Sequence, residues 1–90
     1  MPPPDRKRAT ALHYAGGNGA PKVVATGQGL IAERILEIAA AAGVPIREDE
    51  ALVNALASLE LGQEIPEDLF VAVAEALAWA YRLDRAARGV

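Results

Sequence analysis

Four groups of residues have types and spacings that could do chemistry. Gly27-Gln28-Gly29 follows the β-branched run Lys22 to Ala25 and leads straight into apolar residues. Glycines between a strand and a helix let backbone N–H groups approach a phosphate, and the helix dipole favours the charge. The dinucleotide fingerprint asks for G-x-G-x-x-G, a following parallel strand and an acid about 20 residues on. Here the third position is Ala32, and Glu48 and Asp49 lie near the acidic distance. There is no G-K-[ST] sequence, and ninety residues leave no room for a second half-domain. The turn reads as structural; a small ligand- or nucleotide-binding domain built on Gly27–Gly29 is the alternative.

His13 is the only histidine, with no serine or cysteine arranged around it as a nucleophile. Glu48-Asp49-Glu50 could be general acids or hold a cation, but three acids at a helix start complement the dipole and cap the helix. Trp79 and Tyr81, two residues apart on a helix, face different ways; one belongs to the core and the other to a contact surface. These readings leave no catalytic residue, no metal site and no cofactor.

Composition points the same way. The 90 residues are 52% hydrophobic, much of it alanine, with four aromatic residues and no cysteine, so disulfides and thiolate metal sites are excluded. The net charge is −3 and unevenly spread. Arg6, Lys7, Arg8 and Lys22 against Asp5 give +3 over residues 1–22. Ten acids against Arg34 and Arg47 give −8 over 23–81, and Arg82, Arg85 and Arg88 against Asp84 give +2 over 82–90. An acidic body argues against nucleic acid, which needs a basic face. No stretch approaches the roughly 20 apolar residues of a membrane span, and no apolar run follows the charged start as a secretory signal requires.

The elements that must position these groups follow from pattern. Residues 1–7, opening on three prolines, read as a disordered leader. Residues 8–14 alternate: Ala9, Ala11 and His13 on one side, Thr10, Leu12 and Tyr14 on the other. A Gly-rich turn and Pro21 lead to a partner strand at 22–25, which makes an antiparallel hairpin. Residues 29–43 are helical, with Leu30, Ile31, Ile35, Ile38, Ala39 and Ala42 recurring apolar and Gly43 as the stop. Val44–Glu48 reads as a short third strand. A second helix at 49–62 starts on Asp49 and carries Leu52, Leu56 and Leu59, and Gln63-Glu64-Ile65 is a link. The last helix runs from Pro66 to about Asp84, with Leu69, Phe70, Val73, Leu77, Ala80 and Tyr81 as its buried stripe. Residues 85–90 fray. The fold class is α+β: one module, residues 8–84, in which a small sheet packs with three helices.

Several motifs in one order carry a resemblance. Ala20-Pro21-Lys22-Val23-Val24-Ala25, Gly29-Leu30-Ile31-Ala32 with Arg34-Ile35, and Val44-Pro45 come first. Leu61-Gly62-Gln63-Glu64-Ile65-Pro66 and Val73-Ala74-Glu75-Ala76-Leu77-Ala78-Trp79 follow. Together, over about residues 9–84, they resemble the cytoplasmic C-terminal domain of the flagellar FlhB family, which includes the equivalent components of virulence type III secretion systems.

The resemblance implies a non-enzymatic, cytoplasmic module at the inner face of the membrane, beneath the export gate. Its implied partners are hook- and rod-type export substrates, export-gate proteins and a full-length FlhB homologue, and its implied role lies in recognising substrates or switching between them. Family members cleave themselves in an Asn-Pro-Thr-His loop. The matching positions here, Pro4, Asp5, Arg6 and Lys7, hold neither Asn nor His, so this chain is not expected to cleave itself. It is similar to the post-cleavage half made as its own polypeptide, without the upstream strand, which leaves one sheet edge unpaired. The family's apolar docking patch for export substrates falls on Ala20, Pro21, Ala74 and Leu77.

Overall fold

The computed structural model describes residues 7–15 and 19–87, with side chains as far as Leu83. The leader to Arg6, and with it Pro4, Asp5 and Arg6, lies outside the described residues, as do Gly16–Asn18 in the hairpin loop and residues 88–90. Strand β1 is Arg8–His13 and β2 is Lys22–Gln28. Helices α1 (Leu30–Ala41), α2 (Glu50–Leu56) and α3 (Phe70–Ala87) follow, α3 entered through a 3-10 turn at Glu67–Leu69. The α+β class, the antiparallel hairpin and the three helices are therefore as the sequence implies.

The hairpin contains one irregularity that decides the core. Thr10 pairs with Thr26 and Ala11 with Ala25, but Leu12 pairs with Val23. Val24 is the extra residue, bulged out and 54% exposed. Side chains alternate along a strand, so a one-residue insertion moves everything beyond it to the other face. The bulge places Val23 on the Leu12 face, fully buried with Leu56, Ile65 and Val73. Leu12, Leu52, Leu59, Leu69 and Leu77 close around these four. Burying each central side chain contributes about 1.5–3 kcal/mol.

The opposite face of the hairpin is made of small residues and receives α1. Ala9 pairs with Gly27, Ala32 of α1 is fully buried, and α1 touches both strands. Because the contact surface is so small-grained, the bulky residues of α1 are left outside. Leu30, Ile31 and Ile38 are exposed, as is Ala42, while Ile35 and Ala39 are half-buried. The apolar recurrence marked a helix; it did not mark the buried face. At its C-terminus Gly43 adopts φ 74°, its N–H donates to the Ala40 carbonyl at 3.2 Å, and the Val44 N–H donates to Ala39 at 2.9 Å. This pair of bonds is the Schellman closure that a glycine one residue past the cap allows.

The third strand expected at Val44–Glu48 is not formed; that segment is irregular and exposed. The Val44 N–H is already spent on the helix end and Pro45 has none, so two successive residues offer no ladder donor. The outer side of β2 is taken instead by Gly62–Ile65, which the sequence reads only as a helix end and link. The Gly62 N–H donates to the Val23 carbonyl (2.7 Å), the Val23 N–H to Gln63 (3.0 Å) and the Ile65 N–H to Pro21 (2.9 Å). Lys22 and Glu64 form an antiparallel bridge. β2 is thus the inner strand, and among the described residues no strand pairs with the far edge of β1.

Helix α2 is shorter than its apolar pattern, ending at Leu56; two turns then carry the chain to Gly62, at φ 82°. Helix α3 is longer, continuing to Ala87. Its buried line is Val73 with Leu69 and Leu77, whereas Phe70 and Tyr81 are 43% and 54% exposed. Apolar residues occur all round this helix, so periodicity alone could not choose which of them face inward.

Candidate functional site

Each chemical candidate has a definite place. Gly29 sits at the N-cap of α1 with φ 62° and is buried. Its N–H donates to the Lys7 carbonyl at 2.7 Å, and its own carbonyl accepts from Glu33 N–H at 3.1 Å. The Gly29 N–H is therefore committed to the chain. Gly27 and Gln28 are not turn residues but the end of β2, and Gly27 is required for close approach: a Cβ there would fall onto the Ile31 side chain. The two glycines are explained by packing and by backbone conformation. An open concavity lies beside them, lined by Arg8, Thr10, Thr26, Gln28 and Ala57, with the two threonine hydroxyls 3.4 Å apart.

Asp49 is the N-cap of α2, its Oδ1 accepting the Leu52 N–H at 3.0 Å; its Oδ2 lies 3.7 Å from Arg47. The acidic run thus caps a helix, as its position implies. No group of three histidine, aspartate or glutamate side chains that could hold a metal ion occurs among the described residues. His13 is exposed at the end of β1. Trp79 is half-buried and Tyr81 exposed, so Tyr81, expected in the buried stripe, is the surface residue of the two.

The four apolar patch positions come from two distant parts of the chain, and Ile65 connects them. Pro21, at the start of β2, accepts the Ile65 N–H. Proline has no ladder donor, so a strand start suits it. Ile65 is 3% exposed and belongs to the cluster against which Leu77 packs. One turn before Leu77 on α3 lies Ala74, exposed, and one turn before that Phe70. Ala20 and Pro21 are half-buried. Ile65 thus ties the strand start to the core on which Leu77 packs, while Ala74 stays exposed on α3. Phe70, which the periodicity places inward, is exposed too. Leu61 (65% exposed) and Val71 (75%) are further exposed apolar residues. Lys7, the described member of the 4–7 segment, is exposed and contributes only its carbonyl to Gly29.

Comparison with known proteins places this architecture. The family model described as the FlhB HrpN YscU SpaS family matches residues 6–80. YlqH of Bacillus subtilis is 42% identical over 83 residues, covering 91% of this chain and 89% of that protein. The flagellar biosynthetic protein FlhB of Escherichia coli is 54% identical over 79 residues, 86% of this chain. The chain spans only about a fifth of that relative's length, 21%. Among solved structures, a mutated EscU/SpaS C-terminal domain is matched with a TM-score of 0.79 at 32% identity, covering 84% of this chain and 96% of that one. The PscU C-terminal domain is matched with a TM-score of 0.76, also at 32% identity, over 81% and 95%. No described helix is long and apolar enough to cross a membrane.

Proposed function

We propose that this chain, which belongs to the FlhB HrpN YscU SpaS family, is a non-enzymatic docking module of flagellar or type III protein export. It acts as the cytoplasmic half of FlhB does, taking up short apolar segments of hook- or rod-type export substrates and working at the inner face of the membrane with export-gate proteins. One observation carries this reading: Pro21 accepts the N–H of the buried Ile65, Leu77 packs on the core cluster to which Ile65 belongs, and Ala74, one turn from Leu77, stays open to solvent. A half-buried proline and a small alanine beside a leucine form a shallow apolar recess suited to a peptide side chain rather than to a charged cofactor. The acidic body suits a protein partner and not a nucleic acid.

The test has two arms. Labelled N-terminal segments of hook-type substrates are titrated with the protein, and the chain is expressed in a strain whose FlhB lacks its C-terminal domain. Saturable peptide binding, or restored motility, supports the module; a flat titration together with no motility rejects it. The purified chain, incubated for days, is expected to keep the intact mass of its ~9.4 kDa polypeptide, since Pro4–Lys7 offer no asparagine to cyclise.

A further inference from the structure

Helix α3 has a second apolar line, on the exposed flank beside its core line. Val71, Ala74, Ala78 and Tyr81 are all exposed, Val71 at 75% and Tyr81 at 54%. Their spacing of three, four and three residues is the narrow seam on which two helices pack. At about 100° per residue this line is centred roughly a third of a turn from the core line through Leu69, Val73 and Leu77, on the flank of the helix and still open to solvent.

The seam is complementary to itself when reversed. An antiparallel copy related by a two-fold axis beside Ala76 sets Val71 against Tyr81 of the second copy and Ala74 against its Ala78. Large residues then flank a centre of small ones, where the backbones approach closely. At the ends of the seam charge follows the same symmetry, while the exposed Glu75 beside the axis faces its own copy and keeps the pairing weak. Glu67 lies one turn before Val71, and Arg82 lies at the other end, exposed. The two-fold axis brings Arg82 within one turn of Glu67 of the second copy, and it does so twice. Parallel packing would instead stack Glu67 on Glu67 and Arg82 on Arg82. The helix dipoles also favour the antiparallel arrangement.

We propose that α3 is a self-association face, on which a second copy of this chain packs antiparallel through Val71, Ala74, Ala78 and Tyr81. One helix pair offers an interface at the small end of the range, below about 1,200 Å² in total, so the dimer is weak and concentration-dependent. The inference goes beyond the docking reading and touches it at one point. Ala74 belongs to both surfaces, so a paired α3 hides part of the recess.

Sedimentation equilibrium of the full chain tests this between about 10 and 500 µM, spanning the dissociation constants expected of small interfaces. A monomer–dimer equilibrium is expected, and a chain monomeric throughout overturns the proposal. Ala78→Arg, on the seam but outside the docking set, should weaken the dimer at least about tenfold while leaving peptide binding intact, because it buries an unpaired charge at the centre. Unchanged association in this variant also overturns the proposal. Glu67→Arg alone and Arg82→Glu alone should each weaken self-association, since each makes both end contacts repulsive. Mixed together they should pair to within about threefold of the parent, because both end contacts become opposite in sign. A mixture that stays monomeric rejects the antiparallel register. Failure of peptide binding with the dimer intact would reject only the docking reading.

Discussion

Gly27 and Ile31 stand too close for any side chain on Gly27: a Cβ there would lie 2.8 Å from the Ile31 Cβ and closer still to its Cγ2. Ile31 is β-branched and helical, so its χ1 has little freedom to move the methyl aside. Gly27→Ala is therefore expected to destabilise the fold by about 1–3 kcal/mol, the usual cost of forcing atoms into a closed contact. Ile31→Ala should recover part of that loss, because it removes the Cγ2 clash and leaves the Cβ contact. Urea midpoints of the two single variants and the double variant measure the coupling. Additive losses would mean that the glycine serves something other than this contact.

Val24 does its structural work by having no partner. Deleting it makes the ladder regular: Val23 then directly precedes Ala25, alternates to the Leu12 face and stays with Leu56, Ile65 and Val73. What is lost is the local bend and twist of the bulge, so the deletion should lower stability by about 0.5–3 kcal/mol while unfolding stays cooperative. Val24→Thr keeps the bulge at an exposed position and should change stability by less than about 0.5 kcal/mol. Far-UV circular dichroism on urea titration distinguishes the two. A deletion variant that no longer unfolds cooperatively would show that the bend of the bulge itself is needed to build the core.

The two kinds of glycine and the cap allow a graded comparison. Gly62 holds φ 82° while its N–H ties the Gly62–Ile65 segment to Val23, so Gly62→Ala should cost about 1–2 kcal/mol. Gly19 has open space where a Cβ would stand, and Gly19→Ala should cost less than Gly62→Ala. Asp49→Ala removes the acceptor for the Leu52 N–H and should cost about 1 kcal/mol, whereas Asp49→Asn retains most of the cap. The Arg47 contact adds little, being long and a third exposed. Equal losses at Gly62 and Gly19 would contradict the structure.

The parts of the fold that were legible in the sequence are those that local chemistry decides. Gly43 stops α1 and Asp49 starts α2 because a positive φ and a capping carboxylate act within a few residues. The alternation of residues 8–14 likewise fixes a strand. What was not legible depends on partners far along the chain. Nothing local says that Gly62–Ile65, rather than Val44–Glu48, lies beside β2, since that choice rests on which segment keeps free N–H donors. Apolar periodicity located α1 and α3 but not their inner faces. α1 meets a surface of alanine and glycine that admits only Ala32, and α3 is apolar on two sides. The docking positions follow from family resemblance alone, and nothing local in the sequence says that Ile65 bonds Pro21 and joins the core on which Leu77 packs.

Ala74 and Leu77 separate recognition from folding. Ala74 is exposed and packs on nothing in the core cluster, so Ala74→Asp should leave the urea midpoint within about 0.5 kcal/mol of the parent. Placed on the rim of an apolar recess, the same carboxylate would have to lose its water when a peptide side chain enters. Binding of hook-type substrate segments should therefore fall at least about tenfold, which corresponds to 1.4 kcal/mol. Leu77→Ala behaves differently, because Leu77 packs against the core cluster of Val23, Leu56, Ile65 and Val73. It should lower stability by about 1–3 kcal/mol, less than a fully buried leucine would, since the site is only half-buried. Ala74→Asp is thus the cleaner probe. Measured by fluorescence anisotropy on the folded variant, unchanged binding would remove Ala74 from the recognition surface, and loss of binding without loss of stability would establish it there.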